Sequence, residues 1–194
     1  MTPRIACIAL LVVLLLPGTR NAQAGFHAAE VALAVGNFGR VVTELAPLVA
    51  AGDARALNLM GVLHQNGWGV PRDPPEAARL YRLAAEQGLT RAAHNLGRLH
   101  SSGLGVAHDD AAAAALWKTA ARQGFVPSQS ALGVLYYEGA GVEKDLLRAY
   151  FWWSLAARRF DLEATQARED IIYRLSAHQK DVADMLVARF EPDR

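Results

Sequence analysis

The stretch Ala56 to Asp73, ALNLMGVLHQNGWGVPRD, returns 36 residues later as AAHNLGRLHSSGLGVAHD (92–109) and again as SQSALGVLYYEGAGVEKD (128–145). Among the register positions that keep their identity in every copy are Gly61, Gly97 and Gly133; Gly67, Gly103 and Gly139; Gly69, Gly105 and Gly141; Val70, Val106 and Val142; and Asp73, Asp109 and Asp145. A fixed period of this length marks units that cannot bury an apolar face alone and stack instead, so it predicts a helical solenoid. Solenoids usually bind rather than catalyse.

Each copy reads as two helices. From about Ala54 to Asn66, the residues Ala56, Met60, Leu63 and Gly67 follow at three- or four-residue spacing, the signature of one buried helical face. Gly67 stops that helix, because glycine takes the left-handed conformation without steric cost, and Gly69 gives the turn a second permissive point. Asp73-Pro74-Pro75-Glu76 then starts the next helix: an N-cap aspartate, prolines where a missing N–H does little harm, and a glutamate placed to complete a capping box. Asp109 and Asp145 are expected to cap in the same way. The second helices run through Tyr81, Trp117 and Trp153 to Ala84-Ala85, Ala120-Ala121 and Ala156-Ala157, small pairs that let neighbours approach closely, and Gly88 and Gly124 end the first two.

The pattern A-x-x-x-L-G-x-x-Y-x-x-G-x-G-V-x-x-D, followed by an aromatic and an alanine pair, resembles the Sel1-like repeat, a relative of the tetratricopeptide repeat. It covers Ala56 to Gly88, Ala92 to Gly124 and Ser128 to Arg159. Departures are His64 and His100 where the family prefers tyrosine, Met60 for leucine, Ser128 for alanine, and Phe160 for the closing glycine of the third repeat. The resemblance implies an all-α fold, a right-handed α-solenoid of helix-turn-helix units. Upstream, Gly36-Asn37-Phe38 with Leu45, Leu48-Val49 and Gly52 looks like the second helix of a degenerate repeat, Phe26 to Val35 being its first. Downstream, Leu162 to Arg174 and Ser176 to Phe190 look like a terminal capping pair with Ser176 as N-cap, since an open array must cover its last apolar face. The expected division is a signal peptide (1–24), a degenerate repeat (25–52), three repeats (53–88, 89–124 and 125–160) and capping helices (161–194).

Arg4, the apolar run Ile5 to Leu16 and the small-residue site Ala22-Gln23-Ala24 together read as a secretory signal peptide cleaved after Ala24. The run is 12 residues, short of the roughly 20 a spanning helix needs. No stable membrane insertion is expected after cleavage, and the product is expected to be exported, periplasmic or secreted. Cys7, the single cysteine, would leave with the signal, so disulfides cannot contribute to the remainder. Losing Arg4 and Arg20 from 20 basic residues leaves 18 against 19 acidic ones, a net charge of −1. Without a dense basic stripe, nucleic acid is excluded as a partner.

Little in the chain suggests chemistry. The six histidines lack H-E-x-x-H or comparable spacing, and His64, His100 and Tyr136 share one register position, which reads as an aromatic-sized packing slot. There is no G-x-S-x-G elbow and no lysine-bearing phosphate loop. Tyr136, Tyr137, Trp152 and Trp153 read as core or inter-repeat contacts, though two adjacent aromatics are not expected to both face inward on one helix. No metal, cofactor or catalytic residue is assigned.

Positions that change between copies mark the surface stripe: Arg55, Asn58, Val62 and Gln65; Arg91, His94, Arg98 and Ser101; Pro127, Ser130, Val134 and Tyr137. Tetratricopeptide arrays turn their first helices toward the concave face, so the resemblance implies that these residues line a groove, with Asn66, Ser102 and Glu138 at its edge. Arginines, amides, a histidine and a tyrosine suit the backbone and carboxylates of an extended peptide, with Tyr137 and Arg98 as anchors. The expected function is that of an exported, non-catalytic scaffold holding another protein in a bacterial cell envelope. Two alternatives differ in class. One is a glycan or peptidoglycan-fragment module, which needs Trp68 and Tyr137 exposed in one cleft. The other is a lactam hydrolase like the cysteine-rich relatives, which carry a cysteine pair per repeat that this chain lacks.

Overall fold

The computed structural model describes residues 17–193, and every regular element among them is helical. The expected signal peptide's apolar run lies outside the described residues. In order come α1 (Pro17–Ala34), α2 (Phe38–Ala50), α3 (Ala54–Asn66), α4 (Pro74–Glu86), α5 (Thr90–Ser102), α6 (Asp110–Arg122), α7 (Val126–Glu138), α8 (Leu146–Ala157), α9 (Leu162–Ile171), a 3-10 turn (Ile172–Arg174) and α10 (Ala177–Arg189). Each odd-numbered helix through α7 pairs with the helix after it, and each even-numbered helix through α6 packs on the next pair's first helix. The chain is an α-solenoid.

The invariant glycines explain the period. A Cβ on Gly61 would stand 2.7 Å from the Tyr81 ring, and one on Gly97 would stand 2.5 Å from the Trp117 indole. Gly133 meets Trp153 in the same way. Each of α3, α5 and α7 therefore carries a bare backbone patch against which the aromatic of its own second helix packs. These rings are at most 6% exposed, and the alanines Ala84, Ala120 and Ala156 behind them are fully buried. The second contact joins units: Gly69 abuts the Phe38 backbone, Gly105 that of Pro74, and Gly141 that of Asp110. The turn of each repeat is thus pressed on the start of the preceding second helix, where no side chain fits.

Caps follow the same period. Asp73, Asp109 and Asp145 accept hydrogen bonds from the backbone N–H groups of Glu76, Ala112 and Arg148, and Asn37, one period earlier, accepts from Arg40. Each cap is tethered in turn, since Asp73, Asp109 and Asp145 donate their own N–H to the carbonyls of His64, His100 and Tyr136. Gly67, Gly103 and Gly139 close the first helices at positive φ. The capping box expected at Asp73 does not form. The Glu76 carboxylate is taken by Arg79, at 2.7 Å from both Nε and Nη2, and that guanidinium holds the carboxyl below the usual carboxylate range.

Other expectations are corrected at the two ends of the array. The first helix begins at Pro17, not Phe26, and so spans the expected cleavage site. Trp152 and Trp153 are both buried, at 7% and 5% exposure, because α8 has neighbours on two sides. Trp153 faces Gly133 on α7, while Trp152 packs with Phe151 and Phe190 near the end of α10. The terminal helices also do not form another hairpin: α9 and α10 each dock on α8. Tyr150 donates to Asp184 Oδ1 at 3.0 Å and Arg158 to the Val187 carbonyl at 2.8 Å, which fixes α10 in place. Ser176 caps α10 in a full capping box with Gln179.

Candidate partner-binding groove

The stripe expected to line a groove divides into two kinds of position. Asn58, His94 and Ser130 share one register position, and each turns toward the next repeat. Asn95 Nδ2 donates to Asn58 Oδ1 at 3.0 Å, His94 Nδ1 meets Ser128 Oγ at 3.0 Å, and Ser130 Oγ donates to Asp161 Oδ2 at 2.7 Å. Asn58 is only 7% exposed. The carbonyls at this position are also occupied, since the Trp117 and Trp153 indoles donate to His94 and Ser130. Tyr81 has no indole N–H, and its hydroxyl donates instead to Gln65 Oε1 at 2.8 Å. Burial raises the Tyr81 hydroxyl above its ordinary range and keeps it a donor. The His94 ring lies beside Trp117 and Phe125, and burial, with Arg98 adding to it, pushes its pKa down to about 4. These three residues form a polar clasp between repeats, in which Asn58 is buried and His94 and Ser130 are half-buried.

Tyr137, expected as an anchor, is half-buried and engaged within the chain. Arg174 Nη1 donates to its hydroxyl at 3.1 Å, and the Arg174 and Lys144 cations lie 5.5 and 5.4 Å from its ring centroid. The 3-10 turn after α9 thereby closes the stripe at its C-terminal end.

What stays open is a row of depressions between successive first helices. One of about 390 Å³ among α1, α3 and α5 holds Arg55, Asn58 and Arg91 above Phe26 and Leu59. The next, about 400 Å³, brings together Gln65, Arg98 and Ser101 of α3 and α5 over Leu99 and Trp117. A third, about 430 Å³, takes Ser101 from α5 and Val134 and Glu138 from α7, with His108 and Asp110 at its mouth. Arg55, Arg91, Arg98, Asn66 and Glu138 are exposed. Arg55 is the most constrained of the arginines, its guanidinium lying 4.5 Å over the Phe26 ring and 3.7 Å from Asp53. Such sites can receive backbone carbonyls and carboxylates over small apolar floors. Among the described residues no three His, Cys, Asp or Glu side chains are grouped to hold a metal ion. No helix among those residues is long and apolar enough to cross a membrane.

Sequence reasoning missed a larger cavity, about 480 Å³, bounded by the second helices α6 and α8 and by α10. Its signal was Phe151, an aromatic at the register position held by Arg79 and Ala115 in the earlier repeats.

A model of the Sel1 repeat matches residues 54–89, 90–125 and 126–159. Among solved structures, the chain is similar to a Sel1 repeat protein from Oxalobacter formigenes, with 28% identity and a TM-score of 0.70 over 77% of this chain and 60% of that one. It is also similar to a protective antigen present in uropathogenic Escherichia coli strains that displays the SLR fold, with 28% identity and a TM-score of 0.66 over 75% of this chain and 34% of the antigen. The chain therefore spans less than two thirds of either relative's length. No match is found among curated proteins. With the family's motif running through more than half of its residues and its stacked helix pairs superposing on those of solved members, the chain belongs to the Sel1 repeat family.

Proposed function

We propose that this protein is a non-catalytic scaffold that holds an extended segment of a partner protein along its first helices, and that it works in a bacterial cell envelope after removal of residues 1–24. The observation that carries the reading is the set of three depressions along the first helices, two of them in repeat register (Gln65, Arg98 and Leu99; Ser101, Val134 and Leu135), with Arg55, Arg91 and Arg98 exposed along the set. The α3–α5 and α5–α7 junctions repeat one site, which suits a chain with its own regular spacing of carbonyls and carboxylates. The export component rests on the n-region, apolar run and small-residue site at the start of the sequence. Glycan binding is less well supported: Trp68 stacks on Phe38 with ring centroids 5.2 Å apart, and Tyr137 lies against Trp153 two repeats away, so the two rings line no common depression.

The test is affinity capture from envelope extract by the wild type beside an Arg55→Ala, Arg91→Ala, Arg98→Ala variant whose helical circular dichroism matches it. Capture of one protein by the wild type and its loss in the variant supports the groove. Equal capture by both rejects the groove as the site. A precursor that keeps residues 1–24 when expressed in a bacterium rejects the export component.

A further inference from the structure

We propose that the cavity among α6, α8 and α10 is a binding site for a small aromatic anion, an aryl carboxylate or aryl phosphate. Its interior is aromatic. Phe151, Trp152 and Phe190 stand mutually edge to face, with centroids 4.9, 6.1 and 6.2 Å apart, and the Tyr136 ring completes the wall. Rings arranged in this way present edges and faces to a further planar ring, the geometry that aromatic pairs prefer.

The rim is cationic. Lys118 and Arg122 reach it from α6, Arg148 from α8 and Arg189 from α10, and no carboxylate is among the lining residues. Lys118, Arg122 and Arg189 make no ion pair among the described residues. The whole chain carries a net charge of only +1, so four cations at one opening are a local concentration and not a reflection of general basicity. Arg148 is held in place, with its guanidinium 5.4 Å from the Tyr136 ring centroid and 3.3 Å from Asp145. At its register position the earlier repeats have Glu76 and Ala112, so the charge is peculiar to this site.

The far wall is fastened too. Beyond Phe190 the chain turns back, and Asp193 donates its N–H to the Arg122 carbonyl at 2.8 Å. That bond sets the aromatic wall and the α6 cations in a fixed relation before any ligand arrives, which lowers the ordering cost of binding. A volume of about 480 Å³ accepts a fused bicyclic ring bearing one anionic group.

The test is calorimetric titration of the full chain with 2-naphthyl phosphate and with 2-naphthylmethanol, which has the same ring system and no charge. The phosphate should bind saturably and at least tenfold more tightly than the alcohol, since charge-assisted hydrogen bonds to guanidinium and ammonium groups supply the difference. A Lys118→Gln, Arg122→Gln variant should bind the phosphate at least tenfold more weakly. Phe151→Ala, which installs the residue found at that position in the second repeat, should weaken both probes. Arg82→Ala, at an exposed position of α4 away from the cavity, should change neither. Absent saturable binding of the phosphate, equal affinity for the two probes, or unchanged affinity in the variants with wild-type helical content would each overturn the assignment. So would binding of a peptide with a free C-terminal phenylalanine by a chain that ignores the phosphate.

Discussion

Gly97→Ala tests the claim that the period exists to seat a ring on bare backbone. The new Cβ would stand 2.5 Å from Trp117 Nε1, 2.8 Å from Cδ1 and 3.0 Å from Cε2. Comfortable contacts between such atoms begin near ~3.5 Å, so the ring must retreat by roughly 1 Å. Retreat is obstructed: Trp117 is 6% exposed, its N–H donates to the His94 carbonyl at 3.0 Å, and the His94 ring centroid lies 6.0 Å away. Overpacking costs about 1–3 kcal/mol and a strained buried hydrogen bond about 1 more, while alanine's better helix propensity returns about 1. The net loss should be about 2 kcal/mol, or a Tm lowered by about 4–8 °C for a chain of this size. Urea denaturation followed by far-UV circular dichroism measures it, and a cycle with Trp117→Leu isolates its cause. In the leucine background the glycine has no ring above it, so Gly97→Ala should become neutral or slightly stabilising. A loss of the same size in both backgrounds would refute the seat.

Phe160 stands at φ 65° with 91% exposure, where the earlier repeats close with Gly88 and Gly124. Phe160→Gly should stabilise the C-terminal cap by about 1 kcal/mol and Phe160→Ala should not, as read by the urea midpoint at constant slope. The His94 pKa, lowered by burial from 6.5 to about 4, means that the unfolded state takes up the proton first. Stability is complete above pH 6.5 and falls as the pH drops toward 4, by about 2 kcal/mol after allowance for solvent screening, and His94→Gln should flatten the pH profile of the denaturation midpoint. Deleting residues 89–124 sets Asn58 opposite Ala131, the register equivalent of Asn95, and leaves a buried amide unpaired. That junction should lose about 1–3 kcal/mol, most of it recovered by adding Ala131→Asn, again by urea denaturation.

Legibility in the sequence follows from which contacts repeat. The glycine seats, the left-handed turns and the N-cap aspartates recur because the same local geometry is built three times, and all of them could be read from residues 56–145 alone. Asn37 belongs to the same series but is an asparagine in an otherwise degenerate unit, and the cap emerges only from its bond to the Arg40 N–H. The two buried tryptophans of α8 were misread because a repeat has one partner on that side and the cap supplies a second. Of the expected groove, Arg55, Arg91, Arg98, Asn66 and Glu138 are exposed on the first helices, whereas Tyr137 is drawn under Arg174 by a turn with no counterpart in the earlier repeats.

The pairing of Asn58, His94 and Ser130 across the junctions has a more general meaning. Variation between copies was equated with freedom to face a partner, yet a junction between repeats is satisfied pair by pair. Asn58 needs only Asn95, His94 only Ser128, and Ser130 only Asp161. The ring on its glycine is the same contact within every repeat and so holds the residue type constant, while a polar pair can be rewritten at one junction without touching the next. Private pairs also do what identical glycine seats cannot, since they distinguish one junction from another: a unit stacked out of order keeps its ring on its glycine but strands an amide or imidazole. In this array variation therefore has two sources, surface that meets other molecules and polar contacts that set the order of the units. Burial and hydrogen-bond partners separate the two, and they leave Arg55, Arg91 and Arg98, with Pro127 and Val134, as the part of the stripe that is exposed.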